Sequence, residues 1–443
     1  RFEQILDLTN VDFTELVPVK VEMDLQKQLT VFVGDMSQPV LKTSYTGYMG
    51  GRVGLFSENG TSEFQDVKLS GIAYPKLSSL KLIGADMDQE FSPENFHYHA
   101  TVDKDVTSVK LMAEVPDGMT LIIANKVMQS GHESEELTLE PGYNALLVRV
   151  GNERYQTTYN MSVYRQFDEN ELYQESSRPK LRYSASHHWV NDPNGLVYNE
   201  STGEYHMFYQ YNPYSSSMGN CSWGHAVSRD LIHWQELPVA IYANENGVIA
   251  SGSCVIDEKN TSGLFDDTVL PGNRMVAMFT HNSEFRCQGG VGPFGMSAID
   301  AVNGRQEQSL AYSKDGGITW NLYDGNPVLR NEGYSTYGID FRDPKILWME
   351  DESLENGGIW MMVVAGGCAR IYTSPDLIHW TFNSEALDAD GNRIYSECPD
   401  LFPLTTEDGE TKWIYMGYNA PAEYYYVGNM TKKDGYYQFR AET

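Results

Sequence analysis

Apolar and polar residues alternate with a period of two along most of the chain, and long runs with helical spacing are absent. The first part of the chain contains the alternating segments PVKVEMDL, LTVFVGD, RVGLFSENG and FQDVKLSG, separated by turn-forming residues. Alternation of this kind is typical of half-buried β-strands. The pattern therefore predicts an all-β protein.

The predicted strands fall into separate regions. Residues 1–71 are short for a complete β-sandwich and are predicted to form part of one. Residues 74–165 have turn signals at VPDGM and EPGYN, and their strand spacing predicts an immunoglobulin-like or cadherin-like sandwich. The polar residues 166–180 are predicted to be a linker to the last region, residues 181–443.

An internal repeat marks the last region. The segments SRDLIHW, SKDGGITW and SPDLIHW, at 228–234, 313–320 and 374–380, share a Ser-x-Asp start and a closing Trp. Each follows a strand-like run, and a further apolar strand lies upstream of each; a fourth such strand spans 413–419. Recurring units of several strands predict propeller blades, with the repeated Trp residues in the blade cores. The alternative is chance similarity within an ordinary β protein.

The composition of the chain limits the classes of molecule that it is expected to bind. The chain has 443 residues and a formal net charge of −29, which argues against nucleic acid and anionic membranes as partners. It contains no apolar run long enough for a transmembrane helix. The five cysteines are odd in number and form no C-x-x-C pair, so we expect buried free thiols rather than zinc ligands or a disulfide framework.

Three acidic residues occupy comparable positions in the predicted blades. Asp192 lies in NDPNG, Asp343 in FRDPK and Glu397 in SECPDLF, each just before the predicted first strand of a blade. Because the innermost strands of a propeller surround one channel, residues at equivalent blade positions converge at one end of it. The three carboxylates are therefore predicted to face one pocket. The alternative for each is a solvent-exposed residue of a surface turn.

A carboxylate cluster in a concave site suits either metal binding or glycoside hydrolysis, in which one carboxylate is the nucleophile and another the acid/base. No His or Cys accompanies these acids at metal-ligand spacing, and the Asp-x-Asp ladder of a calcium loop is absent. Tyr, Trp, Asn and Gln, which suit sugar binding, are frequent in the same segments. The pattern favours hydrolysis without a metal or another cofactor.

The motifs WVNDPNG, FYQYNP, WGHAVSRDLIHW, SGS, FRDPK and ECPDLF occur in this order between about residues 182 and 440. In this respect the chain resembles glycoside hydrolase family 32, the invertase, inulinase and levanase family. The resemblance implies a five-bladed β-propeller and a reaction that retains anomeric configuration. It implies that Asp192 is the nucleophile, Glu397 the acid/base and Asp343 the transition-state stabiliser that holds fructose hydroxyls.

Further residues match the substrate-binding positions of that family: Asn191, Gln210, Ser251 and Arg342. Trp223 is a candidate for the pocket wall, and a packing role is the equal alternative for it. Cys398, beside the acid/base, is expected to be a packing thiol rather than a nucleophile.

The chain also departs from the family pattern. Met218 and Ala250 stand where the family usually has aromatic residues that wall the fructose pocket, which leaves substrate preference open. Four strand-start units are present without a fifth, so we expect the propeller to lack its last blade within residues 181–443. We expect a longer polypeptide or a partner chain to supply that blade and a C-terminal β-sandwich, because an open arc would expose apolar faces.

The resemblance implies a secreted bacterial β-fructosidase, an extracellular hydrolase that acts on levan, inulin or sucrose. A fructosyltransferase on the same scaffold is one alternative, because both reactions pass through a fructosyl-enzyme. A non-catalytic fructan-binding protein is another. Residues 1–71 resemble the later part of a lectin-like, fructan-binding sandwich, and residues 74–165 resemble the cadherin-like spacers of bacterial extracellular enzymes.

Overall fold

The computed structural model describes residues 2–4, 16–23, 28–44, 75–152, 156–168, 176–179, 181–214, 216–219, 221–244, 247–282, 285–287, 296–298, 306–331, 340–395, 397–419 and 422–442. Within these ranges the chain consists of β-strands and connections, with one turn of 3-10 helix at Pro271–Asn273. The all-β prediction is confirmed. No helix that could cross a bilayer occurs in this part of the chain.

The N-terminal region contributes one antiparallel sheet, with strand order β1-β4-β3-β2. Its strands are β1 (Phe2–Gln4), β2 (Val19–Met23), β3 (Gln28–Val33) and β4 (Leu41–Ser44). Residues 45–74, which include the lectin-like segment GRVGLFSENGTSEFQDVKL, lie outside the described residues. The lectin-like module and its boundary at residue 71 therefore stay a prediction.

The second region is a two-sheet sandwich. Its described strands are β5 (Ser79–Ile83), β6 (His97–Val102), β7 (Ser108–Glu114), β8 (Thr120–Ile123), β9 (Lys126–Met128), β10 (Leu137–Thr138), β11 (Gly142–Gly151) and β12 (Gln156–Arg165). One sheet has the order β10-β7-β5 and the other β6-β12-β11-β8-β9. Alternate side chains of both sheets, among them Tyr98, Leu111 and Val148, form one buried core. Burial of that apolar surface stabilises the module. Of the predicted linker, residues 169–175 and 180 lie outside the described residues.

The remaining described residues form four blades, each a sheet of four antiparallel strands in sequence order. Blade I contains β13 (Trp189–Asn199), β14 (Glu204–Asn212), β15 (Ser222–Ser228) and β16 (Trp234–Ile241). Blade II contains β17 (Val248–Ile256), β18 (Met275–Asn282), the inserted hairpin β19 (Phe285–Cys287) and β20 (Met296–Ala298), then β21 (Gln306–Ser313) and β22 (Asn321–Leu322). Blade III contains β23 (Lys345–Glu350), β24 (Gly358–Val364), β25 (Arg370–Ser374) and β26 (Thr381–Glu385). Blade IV contains β27 (Glu397–Thr405), β28 (Thr411–Asn419), β29 (Ala422–Lys433) and β30 (Tyr436–Ala441).

The repeated Ser-x-Asp…Trp segments form the turns between the third and fourth strands of blades I to III. In blade I, Ser228 Oγ donates to Asp230 Oδ1, the same oxygen accepts the His233 backbone N–H at 2.7 Å, and Trp234 Nε1 donates to the Leu231 carbonyl. The same three bonds recur around Asp315 and around Asp376. The carboxylate satisfies backbone donors that the turn would otherwise leave unpaired, so the repeat is structural.

Successive blades pack face to face. Met278 and Leu310 of blade II share an apolar cluster with Trp360 of blade III, and a second cluster joins blade III to blade IV. The innermost strands of blades II and III are also bridged by Ser253, whose Oγ donates to the Pro344 carbonyl at 2.8 Å and accepts the Ile346 N–H at 2.9 Å. These contacts bring the first strands of the blades side by side.

The sandwich contacts blade I directly. The His97 ring, on β6, stacks on Tyr242, which follows β16, with ring centroids 5.4 Å apart. Tyr214, which follows β14, donates through its hydroxyl to Asn160 Oδ1 on β12 at 3.3 Å. The two regions are therefore joined by polar aromatic contacts beyond the connecting segment.

Candidate active site

Each of the four blades carries a bulge at the start of its innermost strand or just before it. In β13, Val190 pairs with Tyr211 and Pro193 with Tyr209, so Asn191 and Asp192 together oppose Gln210. A bulge of this kind bends the strand and redirects its side chains, and such bulges are frequent beside active sites. The other blades repeat the two-against-one arrangement with Ala250 and Ser251 opposite Thr280, Asp343 and Pro344 opposite Val364, and Cys398 and Pro399 opposite Gly417.

The structure corrects the predicted position of two of the three acidic residues and confirms that of Asp343. Asp192 lies inside β13 rather than before it, Asp343 lies two residues before β23, and Glu397 is the first residue of β27. The segment NDPNG is a doubly bulged strand and not a surface turn, because its residues pair with β14 on both sides of each bulge. Turn-forming residues suit a bulge for the reason that they suit a turn, namely their tolerance of irregular backbone angles.

A closed ring of hydrogen bonds holds Asp192. Ser251 Oγ donates to Asp192 Oδ2 at 2.7 Å, and Asn191 Nδ2 donates to Asp192 Oδ1 at 3.0 Å. Asn191 Nδ2 also donates to Gln210 Oε1 at 2.8 Å, and Gln210 Nε2 donates to Ser251 Oγ at 2.8 Å. Because both carboxylate oxygens accept a bond from a neighbour, the orientation of the half-buried Asp192 is fixed. The structure thus brings three predicted binding residues to the predicted nucleophile.

Asp343 is the most buried of the three acids, with 7% of its surface exposed. Its Oδ2 accepts the Cys398 backbone N–H at 3.0 Å, and its own N–H donates to Thr280 Oγ1 at 3.0 Å. The backbone has φ 61°, in the left-handed region. Burial raises the pKa of this carboxyl to about 6, although Arg342 acts in the opposite direction.

Glu397 is the more open acid, with 45% of its side chain exposed. Arg342 Nη2 lies 2.5 Å and Nε 3.2 Å from Glu397 Oε1. The same guanidinium reaches Asp343 Oδ2 at 3.7 Å and Asp340 Oδ1 at 2.5 Å. Arg342, predicted as a substrate contact, therefore also links the predicted acid/base to the predicted stabiliser.

Cys398 follows Glu397 directly, and its backbone N–H bonds Asp343. The residue is exposed, unlike the buried Cys221, Cys254 and Cys368, so the expectation of a buried thiol is wrong here. Desolvation of the sulfur atom still holds the pKa of its thiol well above the usual range, and the charges of Asp343, Asp192 and Glu397 raise it further. Carboxylates of blades I, III and IV thus act on one sulfur atom. The thiol stays protonated at neutral pH, as expected of a residue that is not a nucleophile.

Trp223 does not wall an open pocket. Its side chain is 0% exposed, packs against Phe208 and Phe279, and donates through Nε1 to the Ala250 carbonyl at 3.0 Å. The packing alternative is therefore correct, because the indole fills the core between blades I and II. Met218, in contrast, is 78% exposed.

Sequence reasoning missed a supporting layer beneath Asp343. Thr280 Oγ1 accepts the Asp343 N–H and donates to Gln308 Oε1 at 2.8 Å, and Gln308 Nε2 donates to the Phe341 carbonyl at 2.7 Å. No local sequence pattern marks Thr280; its position opposite the bulge of blade II, where Gln210 stands in blade I, is seen only in the strand pairing. Among the described residues, no group of three or more His, Cys, Asp or Glu is arranged to hold a metal ion.

Residues 183–442 match the family model described as Glycosyl hydrolases family 32 N-terminal domain. The chain belongs to glycoside hydrolase family 32. The match covers the four described blades and the three acids. Residues 75–166 match a second model, the cadherin-like β-sandwich domain. Both assignments agree with the resemblances seen in the sequence.

Known family 32 proteins are similar to this chain over different lengths. A levanase of Bacillus subtilis is 42% identical over 250 residues, which cover 56% of this chain and 32% of the levanase. A fructan beta-fructosidase of Streptococcus mutans is 32% identical over 413 residues, which cover 88% of this chain and 26% of that protein. The chain thus spans about a quarter to a third of the length of these relatives. The crystal structure of an Aspergillus awamori exo-inulinase is 33% identical with a TM-score of 0.48, covering 60% of this chain and 52% of that one.

Proposed function

We propose that this protein hydrolyses β-D-fructofuranosyl linkages of fructans or sucrose with retention of configuration. The observation that carries the proposal is the arrangement of the three acids at the starts of the blades, where Arg342 contacts both Glu397 and Asp343 and a ring of hydrogen bonds holds Asp192. Support also comes from the relatives named levanase and fructan beta-fructosidase. Other relatives are named extracellular exo-inulinases, which supports an extracellular location.

The first step of the proposed reaction forms a fructosyl-enzyme. A carboxylate oxygen of Asp192 attacks the anomeric carbon of the fructosyl unit, and the bond from that carbon to the leaving oxygen breaks. Glu397 donates its proton to the leaving oxygen, which departs as an alcohol. The ring of bonds around Asp192 orients the attacking oxygen before the substrate arrives.

The second step releases fructose. Glu397, now a carboxylate, takes a proton from water while the water oxygen attacks the anomeric carbon, and the ester bond to Asp192 breaks. Asp343 and Arg342 bind hydroxyl groups of the sugar. Asp343 is mainly ionised above pH 6, the value to which burial raises its pKa, and an ionised carboxylate is the stronger hydrogen-bond acceptor.

Product analysis with levan, inulin and sucrose tests the proposal. We expect fructose to appear with at least one of them, and Asp192→Asn to abolish its release. A fructosyltransferase would instead produce longer oligosaccharides at high sucrose concentration. If the wild-type protein released no product but was retarded by fructan in affinity electrophoresis, the proposed activity would be wrong and a binding role would replace it.

A further inference from the structure

The Arg342 guanidinium joins three carboxylates, and one of them has no part in the reaction proposed above. Nη2 lies 2.5 Å from Glu397 Oε1, and Nε lies 3.7 Å from Asp343 Oδ2. The remaining nitrogen, Nη1, donates to Asp340 Oδ1 at 2.5 Å. Asp340 is thus connected to the candidate active site through Arg342.

The backbone directs Asp340 towards Arg342. Asp340 has φ 66°, in the left-handed region that few residues other than Gly, Asn and Asp enter readily. Two residues later, Arg342 and Ala365 exchange both backbone hydrogen bonds, at 3.2 and 3.0 Å. The side chain of Asp340 is 63% exposed, and an ion pair so open to solvent adds little to stability. A role in folding therefore does not account for this arrangement.

We propose that Asp340 is a positioning residue that holds Arg342 against Glu397 and shares its positive charge. The proposal rests on the proposed function, in which Glu397 is the acid/base. With Asp340 ionised, the guanidinium charge is shared with Asp340 as well as with Asp343 and Glu397, which leaves Glu397 better able to keep the proton that it must donate. Without the charge of Asp340, Arg342 favours the Glu397 carboxylate more strongly.

Two substitutions of Asp340 distinguish the effect of its charge from its effect on the position of Arg342. Asp340→Asn keeps an oxygen that accepts from Arg342 Nη1 but removes the charge. We expect the alkaline limb of kcat/KM for sucrose to move about 0.5 pH unit lower with KM unchanged. Asp340→Ala also removes the 2.5 Å bond to Nη1 and leaves that nitrogen only the longer contact with Gln306 Oε1 at 3.5 Å, so KM should rise by roughly threefold or more, because Arg342 binds the sugar. An aryl β-fructofuranoside with a good leaving group needs less protonation, and its alkaline limb should respond less.

The matched control is Glu385→Gln on the outermost strand of blade III, where Glu385 pairs with Arg393 at 2.6 Å. We expect it to leave both the pH profile and KM as in the wild type. If both Asp340 variants behaved like this control, or if they lowered kcat for both substrates equally with no change in the profile, the positioning role would be wrong.

A measurement without turnover distinguishes this proposal from the proposed function. In protein labelled with ¹³C at Glu carboxyl carbons, the Glu397 signal is assigned by its loss in Glu397→Gln. We expect its titration midpoint to fall in Asp340→Asn and to be unchanged in Glu385→Gln. An unchanged midpoint in Asp340→Asn would overturn the proposal even in an active fructosidase, and a lowered midpoint would support it even if the protein hydrolysed no fructoside.

Discussion

Asp343 is deeply buried, although its proposed role in binding the sugar requires an ionised carboxylate. Its carboxyl is almost fully enclosed, and Arg342 at 3.7 Å offsets only part of the cost of ionisation, so its pKa is raised to about 6. Asp has an ordinary pKa near 3.9 in the unfolded chain. Between that pH and pH 6, the folded state keeps a proton on Asp343 that the unfolded chain has released. The contribution of this group to stability is therefore present below pH 4 and is lost as pH rises through 6.

We expect Asp343→Asn to stabilise the fold at pH 8, by on the order of 2 kcal/mol, and to have a much smaller effect at pH 4. The amide is isosteric and cannot ionise, so the cost of burying a charge disappears. Denaturant unfolding at the two pH values measures the difference. An equal change in the free energy of unfolding at pH 4 and pH 8 would contradict the assignment of the raised pKa to Asp343.

Asp192 and its ring of partners predict a graded loss of activity. Asp192→Asn should lower kcat by at least about a thousandfold, because an amide cannot form the glycosyl ester. Ser251→Ala removes one bond to the carboxylate at 2.7 Å and should cost roughly tenfold. Steady-state kinetics with sucrose compares the two variants, and activity of Asp192→Asn within tenfold of the wild type would exclude it as the nucleophile.

Glu397→Gln tests the second acid by leaving-group dependence. It should slow sucrose hydrolysis strongly, because the departing alcohol needs a proton, and should slow formation of the fructosyl-enzyme from an activated aryl fructoside much less. Pre-steady-state release of the aryl group measures that first step alone. An equal loss with both substrates would mean that Glu397 is not the acid.

The acids and their nearest partners could be predicted from the sequence because they lie in motifs. Asn191 and Asp192 are adjacent in NDPNG, and Gln210 and Ser251 bond to that pair in the structure. Thr280 and Asp340 could not be predicted, because a Thr inside an apolar strand and an Asp beside an aromatic residue have no distinctive local pattern. The role of Thr280 depends on a contact between blades II and III. That of Asp340 depends on Arg342, two residues away, which in turn reaches Glu397 of blade IV.

At the scale of the strand, a glycine allows the bulged backbone of β13. Gly195 follows the first bulge of β13 with φ 55°, and a Cβ at this position would lie 2.6 Å from Phe208 Cδ2. The glycine is thus required both by its backbone angle and by close packing against the blade core. The sequence left a surface turn as the alternative here, because Asn, Asp, Pro and Gly favour turns and bulges alike and only the pairing partner separates the two.

Gly195→Ala should destabilise the protein by about 2–4 kcal/mol, because the added methyl group strains φ and overlaps Phe208. Gly203, in the turn after β13, is the matched control: it has φ 70°, and no atom of the described residues lies within 4 Å of the position that its Cβ would take. Gly203→Ala should cost only the backbone strain, about 1 kcal/mol. Chemical denaturation compares them, and equal losses would show that packing against Phe208 contributes nothing.

At the scale of the whole molecule, the stability of the sandwich and of blade I depends on neutral histidines. Burial lowers the pKa of His97, which stacks on Tyr242, to about 4, and lowers that of His188, near the start of β13, to about 4 as well. Between pH 6.5 and 4 the unfolded chain therefore binds protons that the folded protein does not. These groups stabilise the fold fully above pH 6.5, and their contribution is lost as pH falls towards 4.

We expect the midpoint temperature of thermal unfolding to decrease when the pH is lowered from 7 to 4.5. His97→Phe should make this decrease smaller, because the Phe ring still stacks on Tyr242 but cannot bind a proton. His132→Gln, at an exposed histidine of the same sandwich, is the control and should leave the pH dependence as in the wild type. An identical pH dependence in wild type and His97→Phe would rule out this origin. The sequence predicted the sandwich and the blades but not their contact, because His97 and Tyr242 lie in segments with no shared pattern.

The recurring bulge has a consequence for redesign of the protein. It gives each blade two adjacent side-chain positions at the same end of the propeller, while the hydrogen-bonded ladder on either side keeps its register. Blades III and IV present Arg-Asp-Pro and Glu-Cys-Pro on matching backbones, with φ 61° at Asp343 and 48° at Cys398. Ala250 occupies the comparable position in blade II and carries only a methyl group. A library at the bulge positions other than Asp192 and Asp343 would vary specificity while leaving the blade cores untouched, and Ala250 is one position where new chemistry can be added without removing any of the three acids.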